Sequence, residues 1–115
     1  MFSAIKSFFV PDVKGFVRDT DRLSNMIRFV ESLETRETIP KISMTTMLQF
    51  QEFTSDLFMD EKYSTWRIVM FIYVCGKTIQ NCDSTEEIEK IFDFAQTYAE
   101  TTLPRERVRE AMDDF

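Results

Sequence analysis

One apolar segment constrains the fold of this chain more than any other feature. Residues 68–75 carry no charge and are almost wholly apolar, and no other run in the chain is comparable. An element that is apolar on all sides belongs inside a fold, with other elements packed around it. The run is also far shorter than the ~20 residues that are needed to cross a bilayer. We therefore expect a buried central element, with Arg67 as the one charge at its start.

The composition favours helices around this element. The chain has 115 residues, which predicts one domain spanning 1–115 with one hydrophobic core. It contains only two Gly and three Pro, whereas an all-β fold needs turn residues about every 8–12 positions. The central element is predicted to be a helix over about 64–80, because its length and its helical neighbours favour a helix over a buried strand. The fold class is therefore all-α, a globular bundle of about six to eight helices.

Apolar residues recur at helical spacing on both sides of the central helix. Ser43 or Thr45 is expected to cap the helix before it, and Ser84 opens a capping box, Ser-Thr-Glu-Glu, at the start of the helix after it. Pro104 is expected to stop that helix and to start the last one. The predicted helices around the centre are a short one before Pro11, a stripe over 13–33 with a break near 19–21, one over about 43–60, one over about 84–103 and one from 104 onward.

Charge and residue usage exclude several classes of function. The net charge of −6 repels phosphate backbones, so we expect no nucleic-acid partner. The chain has no His, which is the commonest general base and metal ligand. It also lacks a Gly-rich phosphate loop, a metal-ligand cluster and a nucleophile motif. We therefore expect no enzyme activity, no metal and no cofactor.

The cysteines and the N-terminal residues indicate the cellular compartment of the chain. Two Cys do not make a disulfide framework, and Cys75 and Cys82 lie too far apart on one helix for a bridge. This favours a reducing compartment. The apolar stretch at the N-terminus is cut short by Pro11 and Asp12, which is not typical of a signal peptide. The prediction is a soluble, cytoplasmic chain without a membrane span.

Two segments of the chain resemble a known family. Residues 53–60, Phe-Thr-Ser-Asp-Leu-Phe-Met-Asp, and residues 66–72, Trp-Arg-Ile-Val-Met-Phe-Ile, are similar to the first homology motif of the B-cell lymphoma-2 (Bcl-2) family. The usual form of that motif is Glu-Leu-Phe-x-Asp-Gly, then Asn-Trp-Gly-Arg-Ile-Val and an apolar helix. Residues 103–115 are similar in spacing to the second homology motif, which ends in an acidic pair and Phe. The resemblance covers about residues 44–115.

The chain departs from the family pattern at defined positions. The glycine before the arginine is absent, so either Trp66 stands in its place or the link is shortened by a deletion. In the second motif Arg105 replaces the tryptophan, and Glu110-Ala111 replaces the two glycines. No Leu-x-x-x-Gly-Asp follows Leu23 in the second helical stripe. This divergence, together with the short chain and the lack of a tail anchor, is most similar to a viral pro-survival member.

The resemblance implies a function in cell death. A Bcl-2-like bundle would hold a hydrophobic surface groove that binds the amphipathic BH-3 helix of pro-apoptotic proteins, and their sequestration would inhibit apoptosis. Such a protein would act in the host cytoplasm, or peripherally at mitochondria through its partners. Arg67 would meet the aspartate of the ligand helix. The groove residues implied by position are Phe53, Leu57, Val69, Met70 and Val74, with Trp66 beside Arg67 and with Met26 and Phe29 from the second helical stripe.

Other interpretations of the same residues remain open. Arg67 is also expected as a local ion pair with Asp60 or Glu61, and the apolar groove residues are equally typical of a core. A chain with this fold would alternatively act as an adaptor that binds innate-signalling proteins without an open groove. Self-association as a homodimer is a third possibility, because the N-terminal segment carries Phe2, Phe8 and Phe9.

Overall fold

The protein folds as a bundle of helices. A computed structural model describes residues 20–36, 38–39 and 41–114, and these residues form five α-helices and no strand. The all-α prediction is therefore confirmed for this part of the chain. The predicted helix before Pro11 and the first part of the 13–33 stripe lie outside the described residues. The helices are α1 (Thr20–Arg36), α2 (Met47–Leu57), α3 (Thr65–Asn81), α4 (Thr85–Thr101) and α5 (Arg105–Asp114).

Helix α3 is the centre of the bundle, as the apolar run predicts. It spans Thr65–Asn81, close to the predicted 64–80, and it packs against each of the other four described helices. The Ser64 side chain caps it by accepting a hydrogen bond from the Arg67 amide at 3.2 Å. Between residues 68 and 79, only Met70 and Lys77 retain substantial exposure. This burial explains why the sequence shows an apolar run and no stripe there.

Helix α1 packs along α3 through a stripe of buried side chains at helical spacing. The stripe consists of Met26, Phe29, Val30 and Leu33. The two helices approach closely at Gly76, because a Cβ atom there would lie well within 3.0 Å of Val30 Cγ2. At the other end of α1, a polar cluster ties the helices together: Glu34 accepts a hydrogen bond from the Tyr73 hydroxyl at 2.7 Å and pairs with Lys77 at 3.1 Å.

Helix α2 begins later than either predicted cap would place it, and it ends earlier than expected. Thr46 is its cap, where Ser43 or Thr45 was predicted. The Thr46 hydroxyl accepts from the Gln49 amide, and the Gln49 side chain accepts from the Thr46 amide, so a complete capping box selects this start. The helix ends at Leu57, and the next three residues form a turn in place of the predicted extension to Asp60.

Helix α4 starts at the predicted serine, but only half of the capping box forms. Ser84 accepts from the Glu87 amide at 3.3 Å. The Glu87 carboxylate does not return to Ser84; it accepts a hydrogen bond of 2.6 Å from the Met47 amide, at the first turn of α2. A tertiary contact thus satisfies a free amide of another helix. Pro104 separates α4 from α5, as predicted.

Candidate functional site

The structure divides the nine predicted groove residues into two groups. Four of them have no exposed surface and belong to the hydrophobic core, namely Met26, Phe29, Val69 and Val74. The expectation that these four line an open surface groove is not met in this conformation. The physical reason is that α1 lies on α3 and that α2, α4 and α5 also pack against α3, so these apolar side chains meet other helices and not solvent.

The second group retains surface around the link between α2 and α3. Phe53 and Leu57 are half-buried on α2, and Met70 is half-buried on α3. Trp66 and Arg67 lie in the first turn of α3, and the Trp66 side chain is 45% exposed. The candidate site is therefore the region where α2 ends and α3 begins, and we call it the α2–α3 site.

Arg67 is held by the link that precedes α3. Its two terminal nitrogens donate to the two carboxylate oxygens of Asp60, with the Nη2–Oδ2 distance at 3.2 Å, and Nη1 also donates to the Lys62 carbonyl at 3.0 Å. The hydrogen bonds with Asp60 raise the pKa of Arg67. The same bonds, together with the one from the Lys62 amide, lower the pKa of Asp60. The local ion pair considered from the sequence is thus present. The side chains remain 34% and 45% exposed, so solvent and a ligand can reach the pair.

The backbone of the link has one unusual residue. Glu61 has a φ of 59°, in the left-handed region that favours glycine. Its amide donates to the Phe58 carbonyl at 2.9 Å, and the next amide, of Lys62, donates to Asp60. This turn places the Asp60 carboxylate in front of the Arg67 guanidinium.

Sequence reasoning missed one exposed side chain at this site. Met59 is 78% exposed, next to Asp60 in the turn that follows α2. It falls outside the helical stripe because α2 has already ended, so the apolar periodicity gives no signal for it. In the family motif that residues 53–60 resemble, Met59 falls at the variable position x, so the resemblance does not single it out either.

A second surface feature lies between α2 and α4. An open depression of about 600 Å³ is bounded by polar side chains of α2 and by two aromatic rings of α4. The sequence does not indicate it, because neither helix alone carries an unusual pattern there. The lining residues that matter most are Leu48, Glu52, Asp56, Phe94 and Tyr98.

Comparison with known proteins identifies no relative: no protein-family model, curated protein or solved structure matches this chain. None of the helices that the structure describes has the length and apolar character to span a membrane. Among the described residues, no group of three or more acidic or cysteine side chains is arranged to hold a metal ion.

Proposed function

We propose that this protein is a Bcl-2-like helical bundle that binds BH-3 helices of pro-apoptotic proteins and so inhibits apoptosis. The observation that carries the proposal is Arg67, a partly exposed guanidinium in the first turn of the central helix, whose apolar run is mostly buried. A cation fixed by a rigid element is suited to select an aspartate on an incoming amphipathic helix.

The link before Arg67 supports the same proposal. The family motif has glycine after its aspartate, and the residue at that place here, Glu61, adopts a left-handed backbone. The chain thus keeps a glycine-type turn without the glycine.

Binding at the α2–α3 site would proceed by exchange of carboxylates. Asp60 already occupies both terminal nitrogens of Arg67, so a ligand aspartate must displace it or share the guanidinium. Half-buried Phe53, Leu57 and Met70 would then contact apolar residues of the ligand helix. The four core residues of the predicted groove would become available only if the helices packed around them moved apart.

The closed core favours a second candidate function, that of an adaptor. Because Met26, Phe29, Val69 and Val74 are fully buried, the bundle offers no preformed deep groove among these residues. An adaptor of the same fold, which binds innate-signalling proteins through its outer surface, needs no such groove. Homodimer formation remains a further alternative, and exposed Met59 and Trp66 would supply apolar surface for it.

A titration with BH-3 peptides tests the proposal. Calorimetry with a panel of such peptides should give sub-micromolar binding to at least one of them. Arg67→Ala should weaken that binding by about tenfold or more, because it removes the partner of the ligand aspartate. Asp60→Asn should strengthen binding, because the internal competitor is removed.

The matched control is Arg107→Ala, which removes an exposed arginine from α5 and should leave binding unchanged. If no peptide of the panel binds at about 0.1 mM, BH-3 sequestration is refuted and the adaptor function is favoured. Light scattering of the free protein tests the homodimer alternative. A strict monomer at high concentration would exclude it.

A further inference from the structure

The depression between α2 and α4 has an aromatic floor that continues into the core. Phe94 and Tyr98 are half-buried, with ring centroids 5.8 Å apart. Phe94 meets the buried Phe50 edge to face at 5.7 Å, and Tyr98 packs against Phe71 at 5.6 Å. The floor is therefore rigid. Its rings present π surface to whatever enters the depression.

The α2 wall of this depression is acidic. Glu52 and Asp56 are exposed, line the depression together and lie four residues apart on α2. Like charges at this spacing destabilise a helix by a few tenths of a kcal/mol. Asp56 also lies in the last turn of α2, where the helix dipole favours cations, and that turn has no basic residue. Within the part of the chain that the structure describes, neither side chain has an ion-pair partner, and no Lys or Arg lines the depression.

Two further groups complete the surface. Leu48 is 63% exposed at the rim, at the N-terminal end of the same wall. The Tyr98 hydroxyl makes no hydrogen bond to any described residue, and burial raises the pKa of this phenol, so it remains a donor at neutral pH. An apolar rim, an aromatic floor, two carboxylates and an unused hydroxyl thus surround one open space.

We infer that this α2–α4 cleft is a docking surface for an arginine-bearing helical segment of a partner protein. A guanidinium can stack on an aromatic face and pair with a carboxylate in the same pose, which an ammonium ion does less well. Such a cation would offset both the Glu52–Asp56 repulsion and the unfavourable charge at the end of α2. An apolar residue of the same segment would cover Leu48. The surface is distinct from the α2–α3 site, where Arg67 selects a ligand of opposite charge, and it does not depend on the function proposed there.

The test uses the full chain and a designed probe. The probe is a capped, alanine-based helix of about 16 residues that carries two arginines four positions apart and a leucine four positions beyond one of them, which repeats the spacing of Leu48, Glu52 and Asp56 on α2. A twin peptide has glutamine at both arginine positions. Titration of the isotope-labelled protein should move the amide signals of α2 and α4 with the arginine peptide, and the twin should produce much smaller changes.

Variants then locate the interaction. The double substitution Glu52→Gln with Asp56→Asn should weaken binding about three- to tenfold, as expected for two exposed charge pairs. The matched control, Glu86→Gln with Glu106→Gln, removes the same net charge from exposed positions outside the cleft and should change affinity little. Leu48→Ser is a second variant of the cleft. Leu48 is exposed at the rim, so this substitution should leave the fold intact.

Four results would overturn the inference. These are no binding of the arginine peptide, equal binding of the glutamine twin, signal changes outside α2 and α4, or equal loss of affinity in the two double variants. The last result would mean that only the net charge of the protein attracts the probe. Loss of BH-3 binding in the Arg67→Ala variant has no bearing on this outcome, so the two proposals fail separately.

Discussion

Replacement of Gly76 by alanine should destabilise the protein by about 1–2 kcal/mol. In an open helix this change is favourable by about 1 kcal/mol, because alanine has the higher helix propensity. Here the new Cβ would overlap Val30 Cγ2 and would lie 3.2 Å from Met26 Cγ. Val30 is β-branched and fully buried in α1, so its side chain strongly prefers one rotamer and a change of rotamer is a costly way to avoid the overlap. The two helices must therefore move apart.

The magnitude follows from two opposing terms. Overpacking of a well-filled core typically costs about 1–3 kcal/mol, and the overlap with a stiff side chain belongs at the upper end of that range. The propensity gain of about 1 kcal/mol is subtracted from it. Chemical denaturation of Gly76→Ala should thus show a lower midpoint with an unchanged slope.

A second substitution makes this prediction specific. Val30→Ala removes the clashing methyl groups and should itself cost about 1–3 kcal/mol through the cavity it leaves. In that background Gly76→Ala should become neutral or stabilising. The double variant should therefore be more stable than the sum of the two single changes predicts. If Gly76→Ala destabilises equally in both backgrounds, or stabilises the wild-type chain, α1 does not pack on α3 as described.

Three further perturbations test other contacts. Glu61→Gly should stabilise the protein by about 0.5–1 kcal/mol in denaturation, because it relieves a left-handed backbone at a non-glycine residue. Glu87→Gln should destabilise it by about 1 kcal/mol, because the Met47 amide loses its charged acceptor; the exposed neighbour Glu86→Gln, which makes no such contact, should have little effect. Hydrogen bonds from Tyr73 and Lys77 lower the pKa of Glu34 from its ordinary value of 4.5. The stability that the folded protein gains from the ionised Glu34 carboxylate is therefore present above pH 4.5 and is lost as the pH falls through the lowered pKa. The unfolding free energy of Glu34→Gln should accordingly fall less steeply with acid than that of the wild type, and an identical pH profile would argue against the Tyr73–Glu34–Lys77 cluster.

Much of the fold could be predicted from local signals. The central position of α3 follows from the apolar run within the predicted helix over about 64–80, because an element apolar on all sides is buried whatever surrounds it. Pro104 separates the last two helices for a reason that holds in any context, since the residue before proline avoids helical geometry. The cap of α2 was predicted one or three residues too early, at Thr45 or Ser43, because several neighbouring hydroxyl residues can cap a helix. Only the return bond from Gln49 distinguishes Thr46.

The candidate site was less predictable. Helical spacing places Met26, Phe29, Val69 and Val74 on apolar faces, but it does not tell whether a face meets a ligand or another helix. The packing of α1, α2, α4 and α5 around α3 decides this, and all four side chains are buried. Likewise, the glutamate of the predicted capping box leaves its own helix to bind the Met47 amide, since an unpaired amide of another helix competes for the same carboxylate.

By itself, the sequence determined that this chain is helical, that residues 65–81 lie at its centre and where several helices stop, because burial pattern, capping and proline chemistry act over a few neighbouring residues. Only the tertiary structure decided that Arg67 is paired with Asp60, that Val69 and Val74 of the expected apolar floor are covered by neighbouring helices, and that α2 and α4 enclose an acidic, aromatic cleft. These features depend on which faces of distant segments meet, and spacing along a single chain carries no information about that choice.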